Sequence, residues 1–291
     1  MMTEEDLAPL LPDPGHWVSL DDRAVFLLRG PDRVRYLNGQ VSNDVSRDLS
    51  SRTIAGCLCG VKGRVEALVW ITEWDDGLLI DGEGKQRDFL LARLEKYLIA
   101  DDCEFTDLTG QLRLRHCFGE GETGGTRLSY RFGVAGQDVW SAPDESGDLD
   151  PGREWPAESL ARLSILSRLP ESETEITGSE FPSELGLDQW AVDFHKGCYL
   201  GQEVISRIES VGRTRRSLEV VRGRSLPGTG AECALEMSQK FRVGRMGRKA
   251  PDGSNGEEWG LILAGESNKA KHENHTISHA AIVQTPPKRP R

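Results

Sequence analysis

The octapeptide at residues 196–203, Lys-Gly-Cys-Tyr-Leu-Gly-Gln-Glu, constrains this chain more than any other segment. It places a thiol, an ammonium group, an amide and a carboxylate beside two glycines, Gly197 and Gly201. Glycine permits positive φ or the close approach of another backbone segment. The apolar residues that follow recur at helical spacing, which predicts a helix that begins near Gly201.

The thiol of this segment stands in a setting that favours ionisation. Gln202 and Glu203 would occupy the first helical turn, where the helix dipole favours a carboxylate. Cys198 precedes that positive helix end and follows Lys196 by two residues. Both features favour the thiolate form of a cysteine. We therefore interpret Cys198 as a reactive thiol; the alternative is a turn that holds an incidental buried cysteine.

Length and charge limit the classes of protein that this chain can belong to. With 291 residues it exceeds one typical core, which predicts two or three domains. The net charge of −11 argues against general polyanion binding, but residues 205–250 hold eleven basic and only four acidic residues. This stretch is a candidate anion-binding surface or a solvated charged face. Direct RNA binding is disfavoured because glutamates interrupt the basic residues and no aromatic stacking platform is evident.

The N-terminus and the cysteines indicate the compartment. The acidic start Met-Met-Thr-Glu-Glu-Asp fits neither a secretory signal nor a transit peptide, and no apolar run is long enough to span a membrane. Six cysteines are too sparse for a disulfide scaffold. We expect a cytoplasmic protein with free thiols and no membrane partner. Cys57 and Cys59 could bind a metal from one strand, but no second ligand pair lies nearby, so we predict a core strand and no metal site.

Apolar periodicity predicts a mixed α+β chain. Strands are predicted at residues 17–28, 53–58, 64–72, 77–80, 105–108 and 112–117, and helices at 31–39, 89–99 and 158–168. Beyond residue 217, short apolar stretches alternate with turns, which predicts a small antiparallel barrel or sandwich. The predicted domains are residues 1–150, 151–212 with the octapeptide, and 213–286, followed by a basic tail at 287–291.

The octapeptide also carries a resemblance to a known family. It matches the signature Lys-Gly-Cys-Tyr-x-Gly-Gln-Glu of the YgfZ-type folate-binding proteins, which are relatives of the glycine-cleavage T protein, an aminomethyltransferase. Residues 36–45 resemble the family's Phe-Leu-x-Gly-Gln-x-Thr-x-Asp-Val segment, residues 60–64 its Lys-Gly-Arg turn, and residues 181–187 its Pro-x-Glu segment. The chain therefore resembles this family over most of its length.

The resemblance implies a fold, a cofactor and a role. The fold would be an aminomethyltransferase-like ring of α/β subdomains around a central channel, with a C-terminal antiparallel β-barrel. The channel would bind tetrahydrofolate or a derivative. The protein would support assembly or repair of iron–sulfur enzymes, including those that modify tRNA. Its partners would then be iron–sulfur client enzymes or assembly proteins.

The resemblance also assigns candidate site residues. Cys198 would be the reactive thiol, acting on a cluster, a persulfide or an oxidised intermediate, and Lys196 would stabilise its thiolate. The candidate folate-binding residues are Asn43, Asp44, Glu184, Gly197, Tyr199, Gly201, Gln202 and Glu203. Turn capping explains Asn43 and Asp44 equally well, and core packing is the alternative for Tyr199.

The alternative function is folate-dependent transfer of an aminomethyl or other one-carbon group. The aspartate that is catalytic in the aminomethyltransferases aligns with Ala67, which leaves Glu66 as the nearest carboxylate. The glutamate that grips the pterin in those enzymes aligns with Ser164. A neutral hydroxyl cannot form the charge-assisted pair that the guanidine-like edge of a pterin prefers. These departures argue against classical enzymatic turnover.

Overall fold

The structure is a computed structural model. It describes residues 12–119, 127–145, 149–212, 214–237, 240–252, 256–267, 276–277 and 281–283. Within these ranges lie fifteen β-strands in three sheets. None of the helices in these ranges has the length and apolar character needed to span a membrane.

The strands and helices have the following bounds. The strands are β1 (Trp17–Leu20), β2 (Arg23–Arg29), β3 (Ile54–Cys59), β4 (Val65–Trp74), β5 (Gly77–Glu83), β6 (Glu104–Asp107), β7 (Arg113–Phe118), β8 (Arg127–Ser129), β9 (Gly136–Ser141), β10 (Arg216–Arg224), β11 (Glu232–Met237), β12 (Lys240–Pro251), β13 (Glu257–Ser267), β14 (Thr276–Ile277) and β15 (Ala281–Val283). The α-helices are α1 (Arg33–Gln40), α2 (Arg87–Glu95), α3 (Ala157–Leu166) and α4 (Gln202–Val211). Short 3₁₀ turns are formed by Gly84–Gln86, Pro151–Arg153, Pro182–Glu184 and Leu187–Gln189.

The central sheet separates the two main apolar cores. Its strand order is β3-β4-β5-β2-β6 and its pairings are antiparallel. One core lies between this sheet and helices α1 and α2, because alternate strand residues such as Phe26 and Val69 pack against Leu37 and Leu90. The opposite face of β3 and β4 packs against the octapeptide region and the C-terminal sheet. Strand β4 therefore lies between the two cores.

Two further sheets flank the central one. The order β1-β7-β9-β8 is antiparallel, and its interior packs against α3. The C-terminal sheet has the order β14-β11-β12-β13-β10-β15 and is antiparallel except for the β11–β14 pair. The predicted C-terminal antiparallel sheet is thus confirmed, whereas its closure into a barrel stays a prediction. So do the domain boundaries at residues 150, 212 and 286.

The first predicted strand is two strands that belong to different sheets. Trp17–Leu20 pairs with β7, whereas Arg23–Arg29 pairs with β5 and β6. The break falls at Asp21 and Asp22, between the two strands. Strands β8 and β9 were not predicted, although Gly136–Ser141 alternates buried and partly buried residues as a strand with one covered face does.

Candidate functional site

The octapeptide is anchored on the loop that follows α1. The Nζ of Lys196 donates to the carbonyl oxygens of Asn38 at 2.8 Å, Val41 at 2.8 Å and Asn43 at 2.6 Å. An ammonium group has three protons, so these bonds use all of them. The side chain of Lys196 therefore links two segments that lie more than 150 residues apart in the sequence.

Backbone hydrogen bonds strengthen the same contact. The amide of Leu200 donates to the carbonyl of Gly39 at 3.1 Å, and the amide of Asp193 donates to that of Ser42 at 2.9 Å. The buried hydroxyl of Ser42 donates in turn to the carbonyl of Ala191 at 2.6 Å. Two of the segments that resemble the family, residues 36–45 and 196–203, thus form one folded unit.

The turn at residues 60–63 is the third part of this unit. Gly201 caps α4 with φ of 87°, and a Cβ built on it would lie 2.6 Å from the oxygen of Gly60 and 3.0 Å from the Cα of Gly63. The expected need for glycine is confirmed at Gly201. The same prediction is wrong at Gly197, because this residue has no positive φ and a Cβ built on it would have no atom within 4 Å.

Cys198 and Tyr199 point into opposite environments. The side chain of Cys198 is exposed, so the alternative of a buried, incidental cysteine is wrong. Tyr199 is 7% exposed and packs in the core with Cys57 and Cys59, and its ring centroid lies 5.3 Å from the Nζ of Lys196. Burial raises the pKa of Tyr199, and its hydroxyl has no hydrogen-bond partner among the described residues. Core packing therefore accounts for Tyr199.

The position of Lys196 also bears on its predicted role toward Cys198. With three carbonyl acceptors, its ammonium keeps no proton for a hydrogen bond to the thiol. Burial lowers the pKa of Lys196 to about 8, while the carboxylates of Asp44 and Asp193 oppose that shift. Stabilisation of the thiolate by Lys196 stays a prediction, and the contacts shown are structural.

The first turn of α4 contains Gln202 and Glu203, as predicted. The amide of Gln202 donates to the carbonyl of Tyr199 at 3.2 Å, which closes the turn into the helix. The side chain of Glu203 is 85% exposed and pairs with Arg207 at 2.8 Å, four residues along the helix. Such an exposed pair contributes little to stability.

Asn43 and Asp44 hold the loop in shape. The carboxylate of Asp44 accepts from the amide of Ser46 at 3.0 Å and from its hydroxyl at 2.6 Å. Burial raises the pKa of Asp44, but these bonds outweigh burial and lower it below its usual value. Asn43 donates from Nδ2 to the carbonyl of Ala55 at 2.7 Å. Turn capping is thus observed at Asp44, whereas Asn43 also lines a cavity.

That cavity, the Asn43 cavity, has a volume of about 220 Å³. It is lined by Asn43, Arg47, Arg52, Thr53, Ile54, Ala55, Trp70, Leu128, Tyr130 and Trp190. The rings of Trp70 and Trp190 stack with centroids 5.6 Å apart. The hydroxyl of Thr53 is buried with no hydrogen-bond partner among the described residues. A buried polar atom of this kind is suited to a ligand or an ordered water.

A second cavity, of about 120 Å³, also has Trp70 in its lining. This Ser164 cavity is lined by Leu20, Arg23, Leu68, Trp70, Glu83, Arg131, Phe132, Leu160, Ser164, Leu169, Pro170 and Glu171. The guanidinium of Arg131 lies 4.7 Å from a ring centroid of Trp70. Trp70 lines both cavities. The charged residues of the Asn43 cavity are arginines, whereas the Ser164 cavity contains two carboxylates, Glu83 and Glu171, as well as two arginines.

A buried ion network supports this side of the site. Arg131 donates to Asp138 at 2.8 Å and to Asp81 at 2.6 Å, Arg23 also donates to Asp81, and the Nδ1 of His116 lies 2.8 Å from Asp138. Burial opposes the ionisation of Asp138, but Arg131 and His116 outweigh it and lower the pKa to about 2. The sequence shows no signal for this network, since its members come from separate strands and a loop.

Two other predicted positions lie away from these cavities. Glu184 accepts from the Nε and Nη2 of Arg216 at 3.0 and 2.9 Å, which links its turn to the C-terminal sheet. Ala67 is fully buried in the core beneath α1 and α2. The nearby carboxylate of Glu66 pairs with Arg93 at 2.8 Å. Cys198 lines neither the Asn43 cavity nor the Ser164 cavity.

Similarity to known proteins agrees with the motifs. No family model matches the sequence. The chain is 25% identical, over an alignment of 291 residues, to the tRNA-modifying protein YgfZ of Pectobacterium carotovorum subsp. carotovorum, with coverage of 89% of this chain and 84% of that protein. It is 26% identical over 259 residues to the protein of the same name from Escherichia coli O157:H7, with coverage of 77% and 78%. The resemblance to YgfZ-type proteins is confirmed.

A solved structure identifies the fold. The glycine cleavage system aminomethyltransferase T from Bartonella henselae superposes with a TM-score of 0.70 at 13% identity, over 89% of this chain and 81% of that one. The fold is therefore aminomethyltransferase-like, with mixed α and β elements and a curled antiparallel half-barrel.

Proposed function

We propose that this chain, a relative of YgfZ-type proteins, binds a reduced folate across the Asn43 and Ser164 cavities and supports the assembly or repair of iron–sulfur enzymes, including tRNA-modifying ones. The observation that carries the proposal is that Trp70 lines both cavities, with Arg47 and Arg52 in the Asn43 cavity and the carboxylates of Glu83 and Glu171, beside two arginines, in the Ser164 cavity. A folate has matching polarity, since a flat pterin with N–H donors stands at one end and carboxylates at the other.

The Asn43 cavity fits the end of the folate that carries the carboxylates. Arg47 and Arg52 line it and supply guanidinium groups, which form strong charge-assisted bonds to carboxylates. The hydroxyl of Thr53, which has no hydrogen-bond partner in the part of the chain that the structure describes, offers a further hydrogen bond. Trp190 and Trp70 provide an aromatic surface for the middle of the molecule. These residues would hold the tail without any contribution from the octapeptide side chains.

The Ser164 cavity fits the pterin. Ser164 lacks the carboxylate that its aminomethyltransferase counterpart has, but Glu83 and Glu171 line the same cavity. Either carboxylate could accept from the guanidine-like edge of a pterin. Burial raises the pKa of Glu171, and Arg248 opposes that rise. A bound reduced folate supplies an oxidisable ring and a carrier for one-carbon groups.

Cys198 would act on the client. Its exposed thiol can reach another protein, and a single thiol does not hold a stable cluster by itself, so the cluster would belong to the client. Lys196 fixes the octapeptide to the carbonyl of Asn43, which lines the folate cavity. Ligand occupancy and the presentation of the thiol would be connected through that bond. The free cysteines suit a reducing compartment, so we place this role in the cytoplasm.

Calorimetric titration with tetrahydrofolate, in the absence of oxygen, tests the ligand. Saturable binding with one site supports the proposal; no heat at millimolar ligand would remove folate from it. Cells that lack the endogenous factor test the role. Wild type should restore iron–sulfur enzyme activity and Cys198→Ser should not. Full rescue by Cys198→Ser would exclude the thiol from the mechanism.

One-carbon transfer remains the alternative function. It needs a carboxylate near the reacting amine, but Ala67 is buried and Glu66 is paired with Arg93. A turnover assay with tetrahydrofolate and aminomethyl donors separates the two proposals. Product formation would favour the transferase, and its absence would leave folate as a bound cofactor only.

A further inference from the structure

A third cavity is larger than the Asn43 and Ser164 cavities, and Trp70 does not line it. It has a volume of about 690 Å³ and lies between α4, the turn at Pro182–Glu184 and the C-terminal sheet. We name it the α4 cleft; it is lined by Arg64, Phe181, Ser183, Glu184, Val204, Ile208, Thr214, Arg215, Arg216, Val243 and Gly265. The site described above does not account for it.

The floor of the α4 cleft belongs to an apolar stripe that continues outside it. Val204 and Ile208 line the cleft, and Val211 follows on the same side of α4 at helical spacing. Val211 is 66% exposed. The adjacent face of the helix, about 100° further round, packs into the core through the buried Ile205. The stripe is thus longer than the cleft, which suits an extended occupant better than a small enclosed one.

The walls of the α4 cleft carry excess positive charge. Arg64, Arg215 and Arg216 line it, and Glu184 is the single lining carboxylate. The carboxylate of Glu184 accepts from Arg216, and its Oε2 lies 3.7 Å from the Nη1 of Arg64. One negative charge is thus paired with two guanidinium groups. Arg215 is exposed, and the described part of the chain offers it no hydrogen bond or ion pair. An anionic group would find an available cation at this rim.

We propose that the α4 cleft binds an acidic segment of a partner protein in which apolar side chains alternate with carboxylates. The apolar residues would cover the stripe on α4, and the carboxylates would pair with Arg215 and the outer edges of the other two arginines. RNA fits less well, because the guanidinium of Arg64 lies 3.6 Å from the ring centroid of Phe181 and covers the face on which a base would stack.

The position of the cleft gives the docked partner a functional consequence. Helix α4 begins at Gln202, directly after the octapeptide. The exposed Cys198 precedes the first residue of α4 by four positions, so a partner bound along α4 would lie on the helix that directly follows the thiol in the chain. The inference goes beyond the proposed function, and it does not depend on folate binding.

Fluorescence anisotropy with the full-length chain tests the proposal. The probe is a short fluorescein-labelled peptide in which leucines alternate with aspartates and glutamates. Arg215→Glu should weaken its binding by about tenfold, since a charge pair is replaced by a like-charge contact. The matched control is Arg224→Glu, an exposed arginine at the far end of β10, which should leave binding within about twofold. Val211→Asp tests the stripe and should weaken binding as Arg215→Glu does.

Several results would overturn the proposal. Equal weakening by Arg224→Glu would mean diffuse attraction to a basic surface. Unchanged binding of a peptide with serines in place of leucines would mean an anion site only. Concentration-dependent dimerisation that Arg215→Glu abolishes would identify a second copy as the occupant. Tetrahydrofolate titration of Arg215→Glu should match wild type, so failure of the peptide result and failure of folate binding remain distinguishable.

Discussion

The ammonium of Lys196 donates to the carbonyl of Asn43 at 2.6 Å, and Asn43 lines the cavity that we assign to the folate tail. A residue of the octapeptide thus holds the wall of a cavity that no octapeptide side chain lines. The relationship explains why Lys196 belongs with Cys198 in one motif. The lysine determines where the loop lies, and the loop determines where the thiol is presented.

Replacing Lys196 by Met should therefore destabilise the fold. The substitution keeps the aliphatic stem but leaves three carbonyl acceptors without a donor. We expect a loss of about 2–3 kcal/mol in the free energy of unfolding. Urea denaturation measures it, with Lys62→Met, at an exposed lysine of the neighbouring turn, as the control. A loss no greater than that of the control would show that the three bonds contribute nothing net.

The two glycines of the octapeptide should respond differently to alanine. Gly201→Ala introduces a Cβ at positive φ and 2.6 Å from the oxygen of Gly60, so we expect a destabilisation of about 2 kcal/mol or more. Gly197→Ala meets no atom within 4 Å and should leave stability nearly unchanged. Thermal denaturation of the two variants compares them directly. Similar melting temperatures would contradict the role assigned to the backbone contact at Gly201.

Local features of the site could be predicted from the sequence. Helical spacing and a glycine predicted the start of α4, and the structure confirms that Gly201 is its N-cap. Both signals act over a few residues, so they can be read from a short segment. The presence of a glycine did not by itself distinguish Gly197 from Gly201. Both positions hold glycine, but only Gly201 lies against another backbone segment.

Long-range features could not be predicted. The partners of Lys196 are backbone carbonyls, which every residue has, so no pattern marks them. Glu184 belonged to a recognisable motif, but its pairing with Arg216 depends on how the C-terminal sheet packs. The ion network of Arg131, Asp81 and Asp138 joins charges that come from two sheets and a loop. Only the tertiary arrangement brings these groups together.

Trp190→Ala should weaken tetrahydrofolate binding. The substitution removes one of the two stacked rings at the Asn43 cavity and should raise the dissociation constant by about tenfold, the size of one lost aromatic stacking contact. Trp74→Ala is the control, because Trp74 lies on the same strand as Trp70 but lines neither folate cavity. Calorimetry compares the two. Equal affinities would direct the search for the folate site elsewhere.

Cys198 should be the first cysteine to react with iodoacetamide in the native protein. It is exposed, whereas Cys57 and Cys59 are buried. Burial also raises the pKa of Cys117 and of Cys233 to about 11, so these thiols contain little thiolate near neutral pH. Peptide mass spectrometry after brief labelling identifies the site. Faster labelling of any other cysteine would remove the basis for a reactive Cys198.

The stability of the fold in acid should depend on Asp138. Its folded pKa of about 2 lies below the ordinary value of 3.8, so the carboxylate stabilises the fold above about pH 4 and loses that contribution as the pH falls through about 2. The contribution is on the order of 2 kcal/mol. Urea denaturation at a series of acidic pH values should show a shallower loss of stability for Asp138→Asn than for wild type. The exposed Asp144→Asn should follow wild type, and a parallel course of all three proteins would mean that acid acts at other carboxylates.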